Sequence, residues 1–394
     1  MIETAFYLCI AILVYIYFIY PLFLYLLSKQ VKYSKNIGCC NGYKTKVTII
    51  IPAHNEEAVI TNKIKNCFEQ DYDHKLLQVI VISDGSTDNT VKYSKETIKE
   101  CDANIDFKLL EVNERKGKTN IINKAMENVD GELTIFSDAN VFLATDAVTN
   151  IVYAFADDTV GCVAGQLSYI NEDTTATVQS AGVYWYYEEF IKYQESITGS
   201  MMGADGSIFA IKTRLFQPLP LYVLDDFCTS MNCIFQGYLL VFDPRVRAFE
   251  KSAEKNNEEF RRRVRISNRC YNSFLWMKNS IFAMSFFNVF KFVSHKLLRW
   301  YTFLFLLLVF VLNVVGYYLN ESTAFQYLLL LQILFYLSAL LGTQEKIIRK
   351  LGAVGKFCNV TYYFVSANFA TMIGIIKSFQ GIKTAVWNKA ESTR

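Results

Sequence analysis

The sequence predicts an α/β domain with a mostly parallel sheet, flanked by hydrophobic helices. Three observations carry that expectation. Between residues 46 and 140, β-branched runs alternate with helix-like patterns, the order that builds parallel sheets. Residues 29–278 have ordinary polar content, with chain enough for a sizeable core. Apolar stretches without charge lie at both ends, at Thr4–Ser28, Trp300–Asn320 and Ser322–Gln344.

Each element has a local reason. Lys46–Pro52 is a β-branched run closed by proline and reads as a strand buried on both faces. Ala53–Glu57 opens a helical pattern that runs to about Gln70. Gln78–Ser83 is a second buried strand, stopped by Asp84-Gly-Ser-Thr-Asp88, with a helix from about Asn89 to Lys99. Asp106–Val112 and Glu132–Ser137 are further strands, and Lys118–Asn128 is the helix between them.

Composition narrows the class. Forty Lys and Arg against 37 Asp and Glu leave a net charge of +3, which argues against a nucleic-acid binder. Apolar residues make up 52% of the chain, and the mean hydropathy is +0.18. That balance fits a membrane protein with one large polar domain. Ten cysteines without Cys-x-x-Cys spacing, and three scattered histidines, argue against a zinc or disulfide scaffold.

The hydrophobic runs give a domain plan. Residues 1–28 form a transmembrane helix, with Pro21 as a kink site. Lys29, Lys32, Lys35, Lys44 and Lys46 follow it and place residues 29–278 in the cytoplasm. Residues 279–299 are interfacial helices, because Asn279–Phe290 is too short to span. Residues 300–344 hold two spans, turning at Asn320-Glu321-Ser322 and returning at Glu345, Lys346, Arg349 and Lys350. In residues 345–394, Phe357–Ile376 has positive charge at both ends, with Trp387 suited to the interface. It reads as an interfacial or re-entrant helix leading to a cytoplasmic C-terminus.

In a sheet of this kind ligands sit at the carboxyl ends of strands. Pro52–Glu56, Asp84–Asp88 and Asp138–Asn140 all fall there. No Gly-x-Gly-x-x-Gly follows the first strand, and no P-loop is present. Acids stand at these strand ends instead, and acids can take ribose, a base N–H or a divalent metal. Helix capping is the competing explanation, and it is favoured for Asp88.

Pro52-Ala-His-Asn-Glu56, Ser83-Asp-Gly-Ser-Thr-Asp88, Glu114-Arg-Lys-Gly-Lys-Thr119 and Ser137-Asp-Ala-Asn140 together resemble a family 2 glycosyltransferase domain of the GT-A fold. The likeness covers about residues 46–275. With the flanking hydrophobic runs, the chain is similar to the membrane-bound group holding cellulose, hyaluronan, chitin and poly-N-acetylglucosamine synthases.

That resemblance assigns roles. Pro52, Asn55, Glu56, Asp84, Lys118, Asp138 and Arg265 would bind the nucleotide or donor sugar, with Asp84 on the uracil of a UDP-sugar. Asp138 and Asn140 would hold Mg²⁺ or Mn²⁺, with Asn standing where the family's motif has a second acid. Asp205, Gly206, Ser207 and Asp225 would face the acceptor. Asp226, in Leu224-Asp-Asp-Phe227, would be the general base. Arg262 and Arg263 join Arg265 as diphosphate ligands in a Gln-x-x-Arg-Trp-like stretch where Ile266 replaces the Trp. Trp276, Tyr271 or the Tyr184–Tyr187 cluster is a candidate sugar-stacking face in its place, with core packing the favoured reading for the cluster.

The expected function is inverting sugar transfer from a UDP-sugar at the cytoplasmic face of a multi-pass inner (plasma) membrane protein. The partners are the donor, a saccharide or lipid-linked acceptor, and the bilayer. The late spans favour a processive synthase of a β-linked polysaccharide. Ile266 favours the alternative, one sugar added to a lipid-linked acceptor. A non-catalytic scaffold that binds nucleotide-sugar is the third reading.

Overall fold

The fold comes from a computed structural model that describes residues 1–31, 42–101, 105–170, 176–251, 256–319, 322–344, 348 and 350–386. Lys32, Lys35, Asn320, Glu321, Glu345, Lys346, Arg349 and Trp387 lie outside the described residues.

Eight strands form one sheet in the order β3-β2-β1-β4-β7-β6-β8-β5. They are β1 Val47–Ala53, β2 Leu77–Asp84, β3 Asp106–Val112, β4 Leu133–Ser137, β5 Phe142–Leu143, β6 Val160–Tyr169, β7 Ile208–Lys212 and β8 Leu239–Glu250. β1 to β4 pair in parallel. β7 runs antiparallel to both β4 and β6, so the whole sheet is mixed.

β1 and β2 are buried along their whole length, which explains their unbroken apolar sequences. Side chains alternate across the sheet. Val47, Ile49 and Ile51 enter one core with Ile60, Ile64 and Ile151. Ile50, Ile80 and Ile82 enter the other with Ile121, Phe136 and Phe209. Each fully buried aliphatic chain contributes about 1.5–3 kcal/mol.

The helices are α1 Ile2–Gln30, α2 Ile60–Phe68, α3 Thr90–Glu100, α4 Lys118–Met126, α5 Ala147–Ala154, α6 Ala176–Ile197, α7 Asp225–Phe235, α8 Asn256–Phe282, α9 Phe286–Trp300, α10 Thr302–Tyr318, α11 Thr323–Leu341 and α12 Gly352–Phe379. The helix expected from Ala53 starts only at Ile60. Asn55 takes a positive φ of 54°, which is incompatible with a helix there.

α1 and α11 are long and apolar enough to cross a membrane by length and composition. α9 and α10 together pass the same test but meet at a 59° bend. Pro21 acts as expected of a proline inside a helix. It lacks the N–H that would bond the Tyr17 carbonyl, and the chain relaxes into a π turn over Tyr15–Ile19. The Tyr187 hydroxyl, 2.9 Å away, donates to that carbonyl instead.

Three expectations about the C-terminal half change. Position 278 lies inside α8, so the expected domain boundary falls mid-helix. Asn279–Phe290 is no single interfacial helix. It breaks after Phe282 and restarts where the Ser285 hydroxyl accepts from the Asn288 amide. Phe357–Ile376 belongs to one unbroken 28-residue helix, so no re-entrant turn interrupts it. Its face is partly polar: Asn268 on α8 donates to Gly374 O and Ser378 Oγ of α12.

Candidate active site

The ends of β1, β2 and β4 converge as the sequence implied. Pro52, Glu56, Asp84, Lys118, Asp138 and Asn140 line one small cleft of about 60 Å³. Asn55 lies beside it on the exposed side, where its Oδ1 accepts from the Thr87 amide at 2.8 Å. The strained Asn55 backbone thus ties the β1 loop to the β2 loop. Asp88 also ties them, accepting from the Thr90 and Glu57 amides.

Asp84 is 2% exposed, and its two oxygens accept from the backbone amides of Lys116 and Gly117, each at 2.8 Å. This carboxylate shapes the loop before α4. Gly117 sits at φ 100°, a conformation that favours glycine. The loop in turn delivers Lys118 at the first turn of α4.

Lys118 is the centre of the acidic cluster. Its Nζ lies 2.7 Å from Asp138 and 3.2 Å from Asp225. Burial alone lowers this ammonium, but Asp138, Asp225 and Asp226 outweigh it and hold the group above its ordinary value. Asp225 is 2% exposed, and the Arg269 guanidinium lies 3.8 Å from it.

Asp226 stands at the start of α7 and faces the main cavity. Burial, with Asp225 and Asp205 nearby, pushes its carboxyl up to about 7, against the pull of Lys118. A carboxylate so tuned accepts a proton effectively near neutral pH. A Cβ built on Gly206 would lie 2.8 Å from Asp226 Oδ2 and 3.1 Å from Lys118 Nζ. Gly206 therefore lets the backbone of the Met201–Ser207 loop close against the base. Ser207 reaches back to β4, its carbonyl accepting from Ser137. Asp205 is paired with Lys192 of α6.

The arginines separate. Arg265 lines the cavity, and burial together with Arg262 and Arg269 pulls its guanidinium down to about 10. An anionic ligand relieves that crowding of positive charge. Arg262 and Arg263 line the same cavity, but Arg263 is already engaged. It bonds Glu259 Oε1 at 2.7 Å and Tyr363, and stacks at 4.9 and 4.7 Å from the Tyr184 and Tyr363 rings. Arg262 is also drawn to Glu259, at 3.4 Å. Of these two expected diphosphate ligands, Arg263 braces α8 against α6 and α12, and Arg262 pairs within α8.

The main cavity holds about 1150 Å³ and runs from Lys118 and Asp138 past Asp226 to α1, α9 and α12. Ile266 lines it, and Trp300 and Tyr184 supply aromatic walls. Trp276 is 40% exposed and outside the lining, and Tyr271 packs on Trp300, so neither is the expected stacking face.

Several residues escaped the sequence reading. Lys63, fully buried on α2, donates to Ser137 Oγ at 2.8 Å and Val141 O at 2.6 Å, bracketing Asp138–Asn140 from behind. Arg269 donates to Thr119 and to the Val223 carbonyl. Glu188 takes Lys296 at 3.0 Å and Arg299 at 2.7 Å on the far wall. One signal was available. Glu188, Lys192 and Glu195 put three charges on one face of an aromatic helix.

The metal motif has oxygen donors. Asn140 donates its amide nitrogen to Glu250 at 2.9 Å, which leaves Oδ1 as its atom for a cation. Asp138 gives one oxygen to Lys118, and its side chain is 39% exposed. Among the described residues no three His, Cys, Asp or Glu side chains form a metal cluster. Two hard oxygens with room for phosphate and water fit Mg²⁺ or Mn²⁺, which seldom take all-protein cages.

Comparison with known proteins now places the domain. Residues 48–219 match the model of glycosyl transferase family 2. The chain carries a family 2 glycosyltransferase domain. It is 22% identical over 261 residues to the poly-beta-1,6-N-acetyl-D-glucosamine synthase of Staphylococcus aureus, an alignment covering 64% of this chain and 61% of that protein. The Staphylococcus epidermidis synthase matches over 224 residues, also at 22%. The chain thus spans about 61% of the length of the first of these relatives. In three dimensions it resembles the mannosyltransferase PcManGT of Pyrobaculum calidifontis, solved with GDP-Man and Mn²⁺. That likeness has a TM-score of 0.74 at 20% identity and covers 97% of this chain and 99% of that one. At that identity the likeness establishes the GT-A fold of this glycosyltransferase.

Proposed function

We propose that this glycosyltransferase moves a sugar from a UDP-sugar to an acceptor hydroxyl with inversion, as a synthase of a β-linked polysaccharide. The observation that carries the reading is Asp226, which lines the main cavity with Lys118 and Asp138 and whose carboxyl is raised to about 7. Asp226 takes the proton of the acceptor hydroxyl as its oxygen attacks the anomeric carbon. The bond from that carbon to the diphosphate oxygen breaks, and the electron pair leaves with UDP. An α-linked donor gives a β-linked product. Arg265 and Lys118 hold the departing diphosphate. Pro52, Asn55, Glu56 and Asp84 frame the nucleotide, Asp84 by shaping the loop that precedes Lys118. Asp138 and Asn140 would hold Mg²⁺ or Mn²⁺, which neutralises diphosphate charge when bound. Gly206, Ser207, Asp205 and Asp225 line the acceptor side.

The polymer reading draws on the synthases named among the relatives. A second reading, one sugar added to a lipid-linked acceptor, is favoured by a specific feature. Ile266 stands in the cavity where a sugar-stacking Trp is expected, and Phe18 and Val360, both exposed and apolar, flank the cavity on α1 and α12. Both readings place the protein in a plasma membrane with the catalytic domain on the cytoplasmic side. A panel of UDP-sugars and GDP-mannose, offered to protein in nanodiscs with Mn²⁺, tests them. High-molecular-weight product from a UDP-sugar supports the synthase. One sugar gained only after lipid extract is added supports the second reading. UDP binding without any turnover would leave a scaffold.

A further inference from the structure

The end of α6 and the loop after it are gripped by a buried polar cluster that sugar transfer does not use directly. Glu195 is fully buried on α6. Its Oε2 accepts from the Met202 amide at 3.1 Å. Its Oε1 accepts from the Tyr20 hydroxyl of α1 at 2.6 Å and faces His295 Nδ1 of α9 at 2.9 Å. Lys291 of α9 is also fully buried, and its Nζ donates to the carbonyls of Glu195, Thr198 and Ser200 at 2.8, 3.1 and 3.1 Å. One ammonium therefore caps the last turn of α6 and the first residues of the loop.

We propose that Glu195 and Lys291 are positioning residues that set the Met201–Ser207 loop against Asp226, with Tyr20 and His295 fixing Glu195 from the membrane-side helices. The middle of the loop is tied to the helix carrying the base, because the Ala204 amide donates to Ser230 Oγ on α7 at 2.9 Å. Gly206 closes on Asp226 between Ala204 and Ser207, whose carbonyl accepts from Ser137 of β4. Charged groups buried this deeply are weak stabilisers compared with apolar residues of similar volume. What the cluster provides is orientation: three elements meet on one carboxylate and one ammonium, and a loop displaced by about 1 Å would misplace the acceptor.

The role in transfer rests on the function proposed above, whereas the latch itself does not. Hydrogen exchange of the full chain in nanodiscs reads the latch. Lys291→Met and Glu195→Ala should speed exchange at residues 201–207 about tenfold or more, with β1 and β2 unchanged. Glu195→Gln, which keeps an oxygen for the Met202 amide, should retain most of the protection. UDP affinity should stay within about twofold while the turnover number of sugar transfer falls about tenfold. Unchanged protection of 201–207, equal loss in β1, or a loosened loop with normal turnover would each overturn the proposal. The exchange experiment decides the latch whether or not transfer is seen. Absence of transfer by the unmodified protein would count against the sugar-transfer reading alone.

Discussion

Gly206 backs directly onto Asp226: a Cβ at residue 206 would stand 2.8 Å from the Asp226 carboxylate oxygen. That contact fixes how near the backbone comes to the candidate base. Gly206→Ala should lower the turnover number about tenfold by forcing the Asp226 carboxylate and the loop apart, with UDP affinity little changed. Turnover at the unmodified rate would show that the loop has slack.

Asp226 also makes a stability prediction. Its folded pKa is raised, to about 7, above the usual carboxylate value. The folded protein then binds more protons than the unfolded chain across that window. Stability is fullest below the unfolded pKa and is lost as pH rises towards about 7. Asp226→Asn should therefore raise the unfolding midpoint at pH 8 by a few degrees and leave it unchanged near pH 4. A lower midpoint at pH 8 would contradict the raised pKa.

The arginines of α8 should separate experimentally. Arg265→Ala should weaken UDP binding more than tenfold with little effect on melting. Arg263→Ala should destabilise by about 1–3 kcal/mol, because it removes the stack on Tyr184 and Tyr363 and the bond to Glu259. Its effect on UDP affinity should be small. The reverse pattern would return Arg263 to the diphosphate site.

Lys63 offers a test of the Asp138–Asn140 turn. Burial lowers this ammonium, and it is held by Ser137 and Val141. Lys63→Met leaves the Val141 carbonyl without that donor, which costs about 1–3 kcal/mol. Calorimetric Mn²⁺ affinity in the presence of UDP should fall several-fold. Intact affinity would mean that the turn holds its shape alone.

The parts legible in the sequence were those whose causes are local. β1 and β2 announced themselves because both faces are buried, so that Ile49 and Ile50 enter opposite cores. The strand-end acids were legible because a parallel sheet gathers them at one edge. The supporting groups were not legible, because their partners are remote in sequence. Lys63 finds Val141, Arg263 finds Tyr363, and Glu195 finds Tyr20 and His295 only after folding. The ends of α8 and α12 were not legible, because flanking lysines look like boundaries in the sequence, whereas Lys278, Lys356 and Lys377 lie inside helices that continue past them.

The central claim is that Asp226 is the base of sugar transfer. The pH dependence of UDP release from UDP-N-acetylglucosamine, with Mn²⁺ and the protein in nanodiscs, tests it most directly when run beside Asp226→Asn. The account predicts a rate that falls as pH drops below about 7 in the unmodified protein, and a loss of at least about a hundredfold in the variant, with UDP still bound. A variant that releases UDP at the unmodified rate, or an unmodified profile flat from pH 5 to 9, would contradict it.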